Sequence, residues 1–405
     1  MTEHYDVVIV GGGMVGATLA CSLGDSPLKI AIIEDAPPPD FAPDQPHDLR
    51  VSAISIASAN ILKTVGAWRG IVARRLCPFR RMRVWEDKGD VEFRSDDINE
   101  PLLGHIVENR IIQLAVLERL HDFRNITLLC PARTRSIEHD SRQSTVTLDD
   151  GRVLTARLLV AADGGYSRVR QAAGMGVSAW DYEQHALVLT VETAYPQQDI
   201  TWQRFTPTGP LAFLPLDGPH ASLVWYQTPE EVKRLKALPD EALLAELLAA
   251  FPSALGDIKR IEARGSFPLK RQHAQHYIKE GVALIGDAAH MIHPLAGQGV
   301  NIGLLDAAAL AQVLLNAKRQ GLDLGAEKTL REYEKMRRQN NLLMMTTMDL
   351  FYRVFGNTVL PLKFIRNLGL GLAERLSPAK KIAMRYAMGL GGRLPRLARG
   401  EAILG

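Results

Sequence analysis

Tyr5 to Val10 is an apolar, β-branched run that stops at three consecutive glycines, and the alanine- and leucine-bearing segment Met14 to Leu23 follows. That pattern predicts strand, tight turn and helix. After Pro27 a second buried-strand run, Ile30 to Ile33, is closed by Glu34, completing a βαβ unit of about 30 residues. The proline-rich stretch Pro37 to Pro46 reads as a surface loop. Apolar spacing is helical from Ile54 to Val65 and from Ile111 to Leu120, whereas Met82 to Trp85 and Val91 to Phe93 read as strands. Between Thr145 and Asp163 the pattern is a hairpin around Asp149-Asp150-Gly151, then a strand from Leu158 to Ala162. A mostly β region runs from about Ala186 to Phe267, with turn signals at Thr206 to Gly209 and Asp217 to Pro219. One helix, from about Glu230 to Phe251, interrupts it. Gly281 to Ile285 is again a short buried strand, and Gly303 to Leu315 an alanine-rich helix.

This order of elements predicts an α/β fold with an α+β insert. A Rossmann-like nucleotide-binding domain is assembled from residues 1–75, 105–180 and 278–335. A β-sheet substrate domain, 76–104 and 181–277, lies between its pieces, and a helical region, 336–405, follows.

Composition narrows the class only a little. A chain of 405 residues with 46% hydrophobic content supports a large core. With 48 basic and 45 acidic side chains the balance gives no reason to expect nucleic acid as a partner. Cys21, Cys77 and Cys130 are widely spaced and odd in number, which provides neither a CxxC metal site nor a disulfide framework and fits a reducing cytoplasm. The polar start, Met1 to Asp6, lacks the form of a signal peptide. No run reaches the ~18 to 20 apolar residues of a membrane span. The expected location is cytoplasmic, with peripheral attachment at the inner face of the plasma membrane as an extension of that reading.

Local charge changes the picture at the C-terminus. From Phe351 to Gly400, Arg353, Lys363, Arg366, Arg375, Lys380, Lys381, Arg385, Arg393, Arg396 and Arg399 stand against one acid, Glu374. Phe364, Ile365, Leu368, Leu372, Ile382, Met384 and Met388 are interleaved. Two readings stay open: basic amphipathic helices lying on anionic lipid or a protein partner, or a helical cap with a solvated basic face.

Gly11, Gly13 and Gly16 satisfy GxGxxG, with Met14 and Val15 between, at the turn from strand to helix. Glycine there permits the turn and lets backbone amides approach a pyrophosphate, and the helix start adds partial positive charge. Glu34 ends the next strand, where a carboxylate can accept from adenosine ribose hydroxyls. The fingerprint does not separate FAD from NAD.

Two further segments do. Ala162-Asp163-Gly164-Gly165-Tyr166-Ser167-Arg168-Val169-Arg170 resembles the DG motif of flavoprotein monooxygenases, and Ile285-Gly286-Asp287-Ala288-Ala289-His290 through Asn301 resembles their GD motif. With the N-terminal glycines they resemble the signature of the para-hydroxybenzoate hydroxylase-like family. The resemblance implies FAD as cofactor, with Asp287 accepting from a ribityl hydroxyl and the following helix aimed at the pyrimidine side of the flavin. It implies that His293-Pro294 to Gly297 and on through Gly299, Val300 and Asn301 lie against the ring. It gives Asp163, Gly164 and Arg170 a part in FAD support and nicotinamide docking. Arg50 and Arg110 match positions that relatives place near the flavin, so Arg50, His293 and Pro294 are the candidates closest to the chemistry. No general base is implied: NAD(P)H reduces FAD, O2 adds at flavin C4a, and the distal oxygen of the hydroperoxide reaches the ring. A metal is not expected, since His290-x-x-His293 has no nearby cysteine and leads into proline.

Arg50-Val-Ser-Ala-Ile-Ser55, Leu103-Gly-His-Ile-Val-Glu-Asn109, Phe205-Thr-Pro-Thr-Gly-Pro210, Ala212-Phe-Leu-Pro-Leu216 and Ser222-Leu-Val-Trp225 are similar to segments of the ubiquinone-biosynthesis hydroxylases. That resemblance spans nearly the whole chain. It implies hydroxylation of a polyprenyl phenol or benzoquinol ring, with O2 and NAD(P)H as co-substrates and a biosynthetic complex as a further partner. Met348 to Tyr352 and Arg366 to Leu370 resemble the member acting on the methoxy-methyl benzoquinol, closest to the 2-polyprenyl-3-methyl-6-methoxy-1,4-benzoquinol hydroxylase, while Trp180-Asp-Tyr182 resembles the C5-hydroxylating one. The alternatives are a prenyl reductase or halogenase on the same fold, or a scaffold role. The tryptophans at 68, 85, 180, 202 and 225 form no Trp-x-Trp pair of the halogenase kind.

Overall fold

The computed structural model of the chain describes residues 2–86, 89–252, 257–292, 299–355, 381, 384–386 and 388–403. Its first sheet is centred on Thr2–Val10, which pairs in parallel with Val153–Ala161 on one side and Ile30–Ile33 on the other. Ile126–Leu129 continues the sheet beyond Ile30–Ile33, and Val282–Leu284 beyond Val153–Ala161, both in parallel. Val7, Val8 and Ile9 are fully buried, as a central parallel strand covered on both faces requires. Helix Met14–Ser22 packs on this sheet, and helix Gly299–Arg319 packs against that helix. The second of these is long and apolar enough to cross a membrane, but 83% of its apolar window is buried within the fold, which makes it a core helix.

The second sheet has the strand order His290–Met291, Ile258–Ala274, Val177–Thr193, His220–Gln227, Gly209–Pro215, Ile200–Thr206, Arg81–Glu86 and Gly89–Arg94. One face packs Leu187, Leu189, Leu223 and Trp225 under helices Pro229–Ala237 and Asp240–Ala250. The opposite face carries Ala186, Val188, Val224 and Tyr226. Val282–Leu284 lies in the first sheet and His290–Met291 in the second, so the chain between them joins the two. A third, three-stranded sheet pairs Val51–Ser55 and Cys77–Phe79 with Gly104–Glu108.

Several boundaries differ from the sequence reading. The helix expected over Glu230 to Phe251 is two helices, because Pro239 cannot continue the first. The helix expected from Ile54 starts at Ile56: Val51–Ser55 is a strand, and the Ser55 hydroxyl caps the helix by accepting from Ser58 N–H. The hairpin at Asp149 to Gly151 forms, but its second strand and the one expected from Leu158 are a single element, Val153–Ala161. Met384 and Met388, read as part of an interleaved apolar set on the basic tail, are buried against Phe79, Ile106 and Leu214. Leu397, Ala398 and Ile403 join the main core, and Asn60 donates to the Ala398 carbonyl. The described end of the chain is thus a cap on the body of the protein; the rest of the basic stretch lies outside the described residues.

Candidate functional site

The first glycine turn is shaped by close packing. Gly11 has φ +106°, and a Cβ on it would lie 2.3 Å from the Ala162 carbonyl oxygen. A Cβ on Gly16 would lie 2.0 Å from the Gly11 oxygen, so helix and strand approach closely only without it. Gly13 differs, because a Cβ there meets nothing within 4 Å. The protein leaves that side open, as the fingerprint's second glycine requires for a pyrophosphate.

Gly13 lies where two cavities meet; it and Ala162 line both. The first, about 740 Å³, is bounded by Gly11, Glu34, Gln113, Asp163, Tyr166 and Arg168. Glu34 Oε2 accepts the Gly12 N–H at 2.6 Å. Burial raises its carboxyl above the usual range, with the Gly12 N–H acting against that shift. Gln113 donates to the Gly12 carbonyl at 3.2 Å from below. Asp163 Oδ2 accepts from the amides of Arg168 and Val169, at 2.8 and 3.2 Å, while its buried Oδ1 has no hydrogen-bond partner. An open Gly13, a half-used Asp163 carboxylate and a carboxylate at Glu34 are the donor and acceptor set that a dinucleotide's pyrophosphate and ribose call for, so the residues fit FAD.

The second cavity, about 430 Å³, has two unlike walls. One is formed by Gly13, Met14, Val15, Gly164, Gly286, Asp287, Gly299 and Val300. Helix Gly299–Arg319 begins here, so the positive end of its dipole faces the space. Asp287 opens onto the cavity. Surrounding protein raises its carboxyl above the usual range, with His290 and Arg50 pulling the other way. The facing wall is the second sheet, through Ala186, Val188, Leu214, Val224, Tyr226 and Phe267. Arg50 stands at the mouth, exposed, with its guanidinium 5.2 Å from the Phe267 ring centroid.

Three expected contacts are placed differently. Arg170, expected to support FAD and nicotinamide, is buried on neither cavity and donates to the carbonyls of Ala288 and Gly165, both at 2.8 Å. Arg110 forms a two-point pair with Asp48, at 2.7 and 2.8 Å, and also lines neither cavity; it holds the loop that leads to Arg50. Asn301 accepts from Ser55 N–H at 2.9 Å and donates to the Ala53 carbonyl at 2.8 Å, fastening helix Gly299–Arg319 to the strand that follows Arg50. His293, Pro294 and Gly297 lie outside the described residues.

Behind Asp287 is a buried polar network. Asp306 accepts from Gly286 N–H at 3.2 Å and pairs with His290 and with Arg337 at 2.8 Å. Asn341 links Asp306 to the Tyr277 hydroxyl. Burial acts to raise the Asp306 carboxyl, but His290 and Arg337 outweigh it and hold it below the usual range.

Gly12, Gln113 and the sheet wall were missed by sequence reasoning. Gly12 sits inside a fingerprint that asks nothing of it, although a Cβ there would come 2.7 Å from Glu34 Cβ. The wall had a signal in the nearly continuous apolar runs at residues 186 to 189 and 223 to 226, but a run apolar on both faces does not say which face meets a ligand.

A family profile described as FAD binding domain matches residues 4–346. The chain is 43% identical to the 3-demethoxyubiquinol 3-hydroxylase of Escherichia coli (strain K12), over 96% of this chain and 99% of that protein. It is 41% identical to ubiquinone hydroxylase UbiL of Rhodospirillum rubrum, over 98% of this chain and 92% of that one. Among solved structures, PqsL of Pseudomonas aeruginosa, described as a probable FAD-dependent monooxygenase, superimposes with a TM-score of 0.74 at 26% identity, over 88% of this chain and 97% of that chain.

Proposed function

The chain belongs to the FAD binding domain family of flavoprotein monooxygenases, and from that premise we propose that it hydroxylates the ring of a polyprenyl phenol or quinol in ubiquinone biosynthesis. The observation that carries this reading is the junction at Gly13. A slot suited to the adenosine and pyrophosphate of FAD leads there into a space walled on one side by an apolar sheet.

FAD, when bound, supplies reduction by NAD(P)H and activation of O2. The residues of the chain do the rest. Gly286, Asp287, Gly299 and Val300 would hold the flavin end, with the helix start favouring negative charge beside it. Ala186, Val188, Leu214, Val224 and Phe267 exclude water from the ring that is to be oxidised, which keeps activated oxygen from being lost as peroxide. Arg50 at the mouth, and His293 and Pro294 from outside the described residues, remain the candidates nearest the reaction. The division into a three-piece cofactor domain, an inserted sheet domain and a helical end belongs to the same proposal. So does attachment of the basic C-terminal stretch to anionic lipid or to a biosynthetic partner.

The test is turnover of the FAD-loaded protein with a short-tailed polyprenyl phenol, NAD(P)H and ¹⁸O-labelled O2. Label in the ring product is expected. Protein that takes up no FAD, or that converts all the NAD(P)H into peroxide with every ring offered, sinks the reading.

A further inference from the structure

Outside both cavities, three side chains able to ligate a metal converge where the loop before Arg50 meets the second sheet. His47 comes from that loop, His220 opens strand His220–Gln227, and Glu262 lies in strand Ile258–Ala274. One nitrogen of each imidazole and one carboxylate oxygen all lie within 4.8 Å of one another. His220 Nδ1 and Glu262 Oε2 are 3.1 Å apart, and the ring centroids of His47 and His220 are 4.7 Å apart with the planes tilted by 42°. Ligand atoms at about 2.0 to 2.1 Å from a tetrahedral cation stand roughly 3.3 to 3.5 Å from each other, and two imidazoles sharing it have ring centroids roughly 5 Å apart. His220 and Glu262 therefore already have ligand spacing, and His47 needs only a small rotation to join them. None of the three belongs to His290-x-x-His293.

A hydrogen-bonded His220–Glu262 pair with His47 resting on it would account for the first distance but not for His47. Its Nε2 is buried and has no hydrogen-bond partner. Such a nitrogen has lost water and gained nothing, which is destabilising unless something binds it. The side chains of His220 and Glu262 keep 23% and 13% of their surface exposed, so an ion can enter from solvent and a water can reach it. The neighbouring cations leave the space open. Arg260 takes the other carboxylate oxygen, Oε1, at 3.0 Å, and Arg75, whose charge reaches His47, is held at two points by Glu108, at 2.6 and 2.8 Å. Two imidazoles with one carboxylate select a zinc-like ion over calcium or magnesium, which take oxygen ligands.

We propose that His47, His220 and Glu262 form a site for a divalent transition ion of the zinc class, with water as the fourth ligand. Its role is to fasten a loop. Asp48 is already tied to Arg110, and a cation on His47 ties the adjacent residue to the second sheet, so the approach to Arg50 is held from two sides. No step of ring oxidation runs through the ion, and the site stands whether or not the chain oxidises a ring.

The experiment uses full-length, FAD-loaded protein stripped with EDTA and then titrated with zinc by calorimetry. One zinc per chain is expected, with a higher melting temperature in zinc than in EDTA. Magnesium should give neither effect. His47→Gln and His220→Gln should each weaken zinc about 100-fold or more, since loss of a ligand outweighs loss of an outer-shell partner. Both variants should melt in EDTA as the unmodified protein does, which separates lost binding from lost folding; should one fail to fold, the other carries the test. His276→Gln, at an exposed histidine outside the group, should bind zinc normally. No uptake by the unmodified protein in molar excess of zinc overturns the proposal. So does uptake that survives both His47→Gln and His220→Gln, or that disappears in His276→Gln. Absence of ring oxidation bears on the hydroxylase reading alone.

Discussion

The Arg170 guanidinium donates to the Ala288 carbonyl at 2.8 Å, joining two motifs that stand 118 positions apart in the chain. A second donation, to the Gly165 carbonyl, fixes the near side of the same joint. Arg170→Met should therefore act first on architecture. The buried Ala288 carbonyl loses its charged donor, while the part-buried Gly165 carbonyl keeps the Gln272 amide, and a loss of roughly 1 to 3 kcal/mol is expected. Urea unfolding of the FAD-loaded protein measures it, and weaker FAD retention should accompany it. A variant with the unfolding midpoint of the unmodified protein but impaired NAD(P)H oxidation would show instead that the guanidinium serves the nicotinamide donor.

Two glycines of one fingerprint should separate. Gly16→Ala drives a methyl against the Gly11 carbonyl oxygen and should prevent normal folding. Gly13→Ala meets open space and should leave the melting temperature of FAD-free protein within a few degrees of normal, while weakening FAD binding by about tenfold or more as the methyl enters the pyrophosphate position. Equal damage to folding at both positions would contradict this account of the turn.

The two exposed-side arginines also divide. Arg110→Met breaks a partly buried pair with Asp48 and should cost about 1 kcal/mol of stability with little change in FAD affinity. Arg50→Met leaves the core alone and should lower turnover of the ring substrate. Comparison of FAD affinity and kcat/KM for the two variants decides the matter; a large loss of FAD affinity in Arg110→Met would place that side chain at the cofactor after all.

Stability should decline on the acid side before the carboxylates titrate. Burial lowers His47 to about 3, and His105 and His273 to about 4, so these imidazoles stay neutral in the fold while the unfolded chain protonates at about 6.5. Between those values the unfolded state binds more protons, and stability falls as pH falls. Melting temperatures between pH 7.5 and 4.5 should show a continuous drop from about pH 6.5. His105→Gln should make it shallower while His47 and His273 keep the remainder; an unchanged slope would count against a depressed His105.

How much of this was legible beforehand depended on range in sequence. The strand, glycine turn and Glu34 fall within one βαβ unit, and β-branched residues buried on both faces announce a central parallel strand, so that part could be read directly. Fastenings such as Asn301 to Ser55, or Arg170 to Ala288, rest on pairings of distant segments, and nothing in the local pattern around either residue marks its partner. The same holds for the wall. Alternation places Val188 and Val224 on one side of a strand, but only the covering helices over Leu187 and Trp225 decide which side is left for a ligand. Met384 and Met388 were ambiguous for a related reason, since an apolar residue among basic ones looks alike whether it meets lipid or Leu214.

The enclosure has two owners: glycine-rich turns contribute one side, and a separate pleated surface the other. Side chains on the pleated surface can be exchanged without disturbing how the turns close. A lineage built on this plan is free to retarget oxidation from one carbon to another by swapping a few strand residues, while inheriting its redox machinery unaltered.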